Sequence, residues 1–259
     1  MTHPKPTIIK AGGAVLDDAG ATDALWRGVA QLRAEAPVVL VHGGGRQATA
    51  LAQRMGHDPQ KVQGRRVTTD LDLEVAQWAL RGALSTRLVT EAEQHGVPAV
   101  GLSGADGGLV RVTRRPPWEV NGETVDFGWV GDVERVHPDV LKALLGGGFT
   151  PVIAPLGVDA DGQVYNVNAD TVACALASAL DAQRLLLVTA AGGVEDAGGA
   201  RLPRCDAQIF ADGVDGGWIR GGMRVKLHTA LEAVSDGVGE AFILGPGDLV
   251  TRDEATRVA

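Results

Sequence analysis

Two lysines and an aspartate in this chain sit where they could handle anions. Lys10 ends the apolar run TIIK and stands directly before Ala11-Gly12-Gly13. An ammonium in an apolar strand is costly unless it reaches water or an anion. Lys10 is therefore either a snorkelling side chain on an edge strand or a group aimed into a ligand site, and the adjacent glycines favour the second reading. Lys226 follows Gly221-Gly222 in GGMRVKL, near the start of a helix that the pattern begins at about Met223. Cations there, Arg224 as well as Lys226, oppose the helix dipole. A bound polyanion removes that conflict; simple solvation of two surface charges is the alternative. Asp170, closing NVNAD, reads as an ordinary helix-start residue or as a carboxylate holding two lysines. In QGRRVTTD, Arg66 offers the planar fork that takes a carboxylate, and Arg65 competes for that role.

Glycine follows several apolar runs: Gly12-Gly13, Gly43-Gly44-Gly45, Gly101 with Gly104, and Gly192-Gly193. Any one of these is readily a tight turn. Four together, at strand ends where open α/β sheets bind ligands, describe an anion cradle of backbone N–H groups and helix N-termini. Standard phosphate signatures are absent: there is no GxxxxGK[ST], and no GxGxxG follows the first strand. HGGG also occurs in hydrolase oxyanion holes, but none of Ser85, Ser103, Ser178 and Ser235 sits in a GxSxG elbow. DADG (159–162) lacks the rest of a calcium loop, and no dedicated carboxylate cage for a metal is visible.

These residues need a rigid frame. Apolar runs at 7–13, 37–45, 98–104, 150–156, 184–193 and 240–245 suit strands buried on both faces. Helical patterns lie between them at about 22–35, 46–56, 70–95, 138–146, 168–181 and 223–236. This alternation predicts an α/β fold: a three-layer α/β/α sandwich with an open, mainly parallel sheet. The stretch 108–136 breaks the pattern. It alternates like strands around an Asn121-Gly122 turn, and so reads as an antiparallel hairpin. A second hairpin turn is expected within 158–170.

The chain has 259 residues, 45% of them hydrophobic, and a net charge of −8. It has no apolar stretch long enough for a membrane span and no recognisable signal peptide. The acidic balance argues against a nucleic-acid binder. Two cysteines, Cys174 and Cys205, make neither a disulfide framework nor a four-ligand zinc site. A reducing cytoplasm is the expected compartment.

Taken in order, IIKAGG, VHGGG, QGRRVT, GLSGADGG, PVIAPLGVDADGQVYNVNAD and GGMRVKL resemble the amino acid kinase family across nearly the whole chain. Within it they are most similar to the branch acting on N-acetyl-L-glutamate. The resemblance implies ATP-dependent phosphorylation of the acceptor's side-chain carboxylate in arginine biosynthesis, with Mg²⁺ carried on the nucleotide phosphates. It implies an acceptor-binding, dimerising lobe over 1–172 and an ATP lobe over 173–259. Lys10, Lys226 and Asp170 fall on the catalytic positions. Gly44, Gly45, Arg66 and Asn166 fall on acceptor-binding positions, and Gly12, Gly13, Thr189 and Lys226 on ATP-binding ones. The hairpin at 108–136 corresponds to a flap over the acceptor. Ala190 stands where many relatives have aspartate. The first strand begins too early for the extra N-terminal helix of arginine-inhibited hexamers, so a homodimer without arginine feedback is expected. The rival within the fold is a kinase for carrier-bound α-aminoadipate, with Arg111, Arg114 and Arg115 meeting an acidic carrier.

Overall fold

A computed structural model describes residues 4–62, 65–120 and 122–259. Strand β1 (Thr7–Ala11) leads through α1 (Gly13–Leu16) and α2 (Ala19–Arg33) to β2 (Val38–His42), which runs into α3 (Gly45–Arg54). A small arm follows, β3 (Lys61–Val62) paired with β4 (Arg65–Arg66). Next come α4 (Asp70–Ala76), a π-helical stretch (Gln77–Leu84) and α5 (Ser85–Gln94), then β5 (Ala99–Ser103). The middle segment contains β6 (Val110–Arg114), β7 (Trp118–Val120), β8 (Glu123–Val125) and β9 (Gly131–Val136), and α6 (Asp139–Gly146) closes it. Beyond it lie β10 (Thr150–Ala154), β11 (Leu156–Val158), β12 (Val164–Asn166), α7 (Ala169–Ala179) and β13 (Arg184–Val188). The chain ends with β14 (Arg204–Cys205), α8 (Ala207–Asp215), α9 (Gly221–Ser235), β15 (Glu240–Leu244) and β16 (Thr256–Val258).

The eight-stranded sheet has the order β14-β16-β15-β13-β1-β2-β10-β5. From β15 to β5 every pairing is parallel, and these six strands are the six that the apolar runs mark. β1 and β2 are buried along their whole length, because successive side chains face opposite layers. Ile8, Val39, Ile153 and Leu187 join a core beneath α6, α7 and α9, contributed by Leu141, Leu176 and Leu227. Ile9, Leu40, Val152 and Leu186 join the opposite core, with Trp26 and Val29 of α2 and Leu88 of α5. Period-two alternation puts Lys10 on the same side as Ile8, towards α7.

The flap is more elaborate than one hairpin. β6 pairs antiparallel with β9, and β7–β8 forms a smaller hairpin between them. Asn121 of its expected turn lies outside the described residues. β11 and β12 pair antiparallel as expected for 158–170 and join the β6–β9 sheet. The single helical run read over 70–95 is interrupted by the π stretch. α9 begins two residues earlier than the pattern suggested.

Candidate active site

Lys10 is not on an edge strand. β1 lies between β13 and β2, and Lys10 is only 5% exposed. Its ammonium lies 3.0 Å from Asp170 Oδ1, while Lys226 Nζ donates to Asp170 Oδ2, also at 3.0 Å. One carboxylate thus joins the central strand, the first turn of α7 and the helix α9. Burial draws the Lys10 pKa below its ordinary value, although the Asp170 charge opposes this. Burial would raise the Asp170 pKa, but the two ammonium groups outweigh it and hold the carboxyl below its ordinary range. Asp170 is therefore ionised at neutral pH. A buried carboxylate with two cationic partners leaves one positive charge in excess, which suits an anionic ligand.

Beside this cluster opens a cavity of about 350 Å³. Its wall includes Gly44, Gly45, Arg66, Asn166 and Asp170, five residues from three separate segments of the sequence. Neither lysine forms part of the wall; both reach it through Asp170. The N-termini of α3, α7 and α9 all border the cavity, through Gly44-Gly45, Asn168-Ala169 and Gly221-Gly222. At α7 the Asn168 side chain accepts hydrogen bonds from the N–H groups of Asp170 and Thr171. Among the described residues no side chain caps α3 or α9, and neither has an acidic residue in its first turn. Uncapped helix N-termini facing one hollow offer their N–H groups to an anion.

The glycines of VHGGG differ in their reasons. Gly44 has φ +146°, and a Cβ there would overlap Leu80 and Leu84 of the π-helical stretch. At Gly45 a Cβ would meet nothing within 4 Å. Gly44 is thus needed for close packing, while Gly45 leaves open space. His42, fully buried beneath this loop, approaches Gly43 O through Nδ1 at 2.7 Å, and its Nε2 has no partner among the described residues. Burial lowers its pKa to about 4, so the ring is neutral and carries its proton on Nδ1.

At the acceptor end, Arg66 donates to Gly45 O and to Thr49 Oγ1, and lies 3.8 Å from Asp72. Asn166 donates to Thr68 Oγ1 at 3.2 Å. Lys61, Arg65, Arg115 and Asn168 also line the cavity. For Arg115 and Lys61 the sequence offered no spacing cue, because strand pairing and the flap bring them there. The three flap arginines are occupied within the chain. Arg111 donates to Asp159 O, Arg114 pairs with Asp126, and Arg115 donates twice to Asp132 Oδ1. Arg115 is also buried, not presented to a partner.

Of the expected ATP positions, Gly12 and Gly13 abut the HGGG loop: a Cβ on Gly43 would lie 3.2 Å from Gly13 N. Gly12 N donates to Val188 O, and Thr189 N donates to Leu244 O at the end of β13. Thr189 lies off the cavity wall. Among the described residues, no group of three or more His, Cys, Asp or Glu is arranged to hold a metal ion, and no helix is long and apolar enough to cross a membrane. Cys174 and Cys205 are buried and free.

Residues 5–245 match the amino acid kinase family. An acetylglutamate kinase of Symbiobacterium thermophilum is 42% identical over 246 residues, covering 93% of this chain and 84% of that one. Another, from Methanopyrus kandleri, is 43% identical over 239 residues, covering 91% and 93%. A solved protein structure from Streptococcus mutans UA159 superposes with a TM-score of 0.82 at 27% identity, covering 98% of each chain.

Proposed function

Because the chain belongs to the amino acid kinase family, we infer that it transfers the γ-phosphoryl group of ATP to the side-chain carboxylate of N-acetyl-L-glutamate. The product is an acyl phosphate, and the reaction belongs to arginine biosynthesis. The observation that carries the site assignment is the pairing of Lys10 and Lys226, each 3.0 Å from the buried Asp170 beside a cavity ringed by helix N-termini.

The attacking carboxylate has a reference pKa near 4.3 and is ionised at neutral pH, so no general base is required. The barrier is the approach of two anions. Lys10 and Lys226 lower it by offsetting charge on the transferring group, and Asp170 holds their ammonium tips together. The N–H groups of Gly44 and Gly45 add further donors beside the acceptor. Arg66 and Asn166 orient the acceptor, while Gly12, Gly13 and Thr189 border the nucleotide. The one carboxylate at the centre is taken up by two lysines, so Mg²⁺ fits this site as an ion carried on the nucleotide phosphates, where it supplies charge neutralisation. The acceptor half comprises 1–172 and the nucleotide half 173–259, with the division inside α7. The assembly is a homodimer; the edge strand β5 and the exposed Met55, Leu71 and Trp78 offer surface for a second copy. The free, buried cysteines suit a reducing cytoplasm.

The carrier-bound aminoadipate reading finds no support: its three candidate arginines are engaged within the chain, and the relatives are acetylglutamate kinases. ADP release should be measured with N-acetyl-L-glutamate, other N-acyl amino acids and carrier-bound aminoadipate, with hydroxylamine to trap the acyl phosphate. N-acetyl-L-glutamate should give the highest rate together with a hydroxamate. Faster turnover of another acceptor, or ADP release without hydroxamate, overturns the assignment.

A further inference from the structure

His42 is a titratable side chain that plays no direct part in the transfer, yet it borders a loop that does. It ends β2 and is fully buried. Period-two alternation puts its ring on the face of Leu40, opposite the face of Lys10, so it meets neither reactant. Its contact is with the backbone: Nδ1 lies 2.7 Å from Gly43 O. A carbonyl oxygen only accepts, so Nδ1 carries the ring proton. Nε2 is then an acceptor, and among the described residues it has no donor. An orphaned buried acceptor is a cost that a leucine in the same place would avoid. The bond to Gly43 O is what the ring supplies in return.

That bond bears on the site through peptide geometry. Gly43 O and the Gly44 N–H belong to one planar trans unit, in which they point in opposite directions. Drawing the oxygen towards the buried ring turns the N–H outward, to the cavity that Gly43, Gly44 and Gly45 line. Among the described residues this N–H has no acceptor. It lies beside the nucleotide loop, where a Cβ on Gly13 would sit 3.7 Å from Gly44 N. The preceding peptide is fixed separately, by the Gly43 N–H donating to Ala11 O at 2.8 Å. The Gly43–Gly44 unit has glycine on both sides, so little steric resistance opposes its turning over. Turned over, it would present a carbonyl oxygen to two anions.

We propose that His42 is a positioning residue for the phosphoryl transfer: its Nδ1–H holds the Gly43–Gly44 peptide in the orientation that aims the Gly44 N–H at the transferring group. This rests on the functional reading above and deepens it. His42 is not a general acid or base, because it is sealed from both reactants and burial keeps it neutral, with a pKa of about 4.

The test compares wild type with His42→Leu, which fills the space without a donor, and His42→Asn, whose side-chain amide reaches the Nδ1 position and donates to the same oxygen. His42→Leu should lower kcat about ten- to a hundredfold, less than outright loss of a preorganised donor, with both KM values within about threefold of wild type. Its thermal midpoint should match or exceed that of wild type, since the orphaned acceptor is gone. His42→Asn should restore kcat to within about fivefold of wild type, although it is smaller, polar and the less stable variant. Activity then follows the donor while stability does not, an order that a purely structural role would reverse. Nitrogen-15 NMR of histidine-labelled wild type, with the His42 ring identified by the signal missing from His42→Asn, should show the proton on Nδ1. Near-normal kcat in His42→Leu, equal losses in the two variants, or an Nε2–H tautomer in the wild type overturns the proposal and leaves the functional reading intact. Absence of N-acetyl-L-glutamate turnover by the wild type overturns the functional reading, and this proposal with it.

Discussion

At the scale of single residues, the chemistry rests on where three charges meet. Lys10→Ala and Lys226→Ala should each lower kcat at least about a hundredfold, the loss typical of removing one preorganised donor. Circular dichroism should show an intact fold, and near-normal turnover in either variant would refute its role. His42 supplies a separate prediction about stability. Its folded pKa of about 4 lies below the ordinary 6.5, so the unfolded chain binds a proton that the folded ring refuses. Its contribution is therefore present above pH 6.5 and is lost as the pH falls towards 4. Chemical denaturation across that window should show a flatter pH dependence in His42→Asn than in wild type; equal slopes would contradict a neutral buried ring. Lys10 and Arg66 are visible in the sequence as charges beside glycines, and Asp170 as the acid that closes NVNAD at a helix start. What spacing could not reveal was their partners. Asp170 looked equally like a helix cap until α7 and α9 were packed together. That Arg66 is tied to Thr49 and Arg65 is stacked on Trp118 depends on loops whose course is set by tertiary contacts.

At the scale of elements, the sheet edge works because three helices start at one hollow. Gly44 joins β2 to α3 in a conformation that side chains rarely adopt, pressed against Leu80 and Leu84. Gly44→Ala should cost about 1–3 kcal/mol from backbone strain alone, before the added overlap, whereas Gly45→Ala should change stability by no more than about 0.5 kcal/mol. Thermal unfolding separates the two; equal loss in both would mean the loop tolerates neither for reasons other than packing. The six central strands were legible because burial on both faces leaves nearly unbroken apolar runs. The edge pieces were not. β14 and β16 are two and three residues long, too short for a period to register, and α8 is not among the helical patterns of the sequence. The π-helical interruption leaves no mark in the sequence, since an apolar helical pattern does not distinguish one extra residue per turn. It nevertheless supplies the two leucines that fix the VHGGG loop.

At the scale of the whole molecule, an acidic chain sets Lys61, Arg65, Arg66 and Arg115 around one hollow, so its net charge of −8 misrepresents what the site attracts. The proposed assembly is open to a simple check: sedimentation should give twice the chain mass, and a monomer at assay concentration would contradict the homodimer. The central claim is that Lys10 and Lys226, organised by Asp170, act together on the group in flight between two anions. It is met most directly by a crystal structure with ADP, Mg²⁺, N-acetyl-L-glutamate and a metal fluoride mimic of the transferring phosphoryl group. Both ammonium groups should lie at hydrogen-bonding distance, about 3 Å, from the mimic. A complex in which either lysine points away from it, with the acceptor bound and in line, would contradict the account.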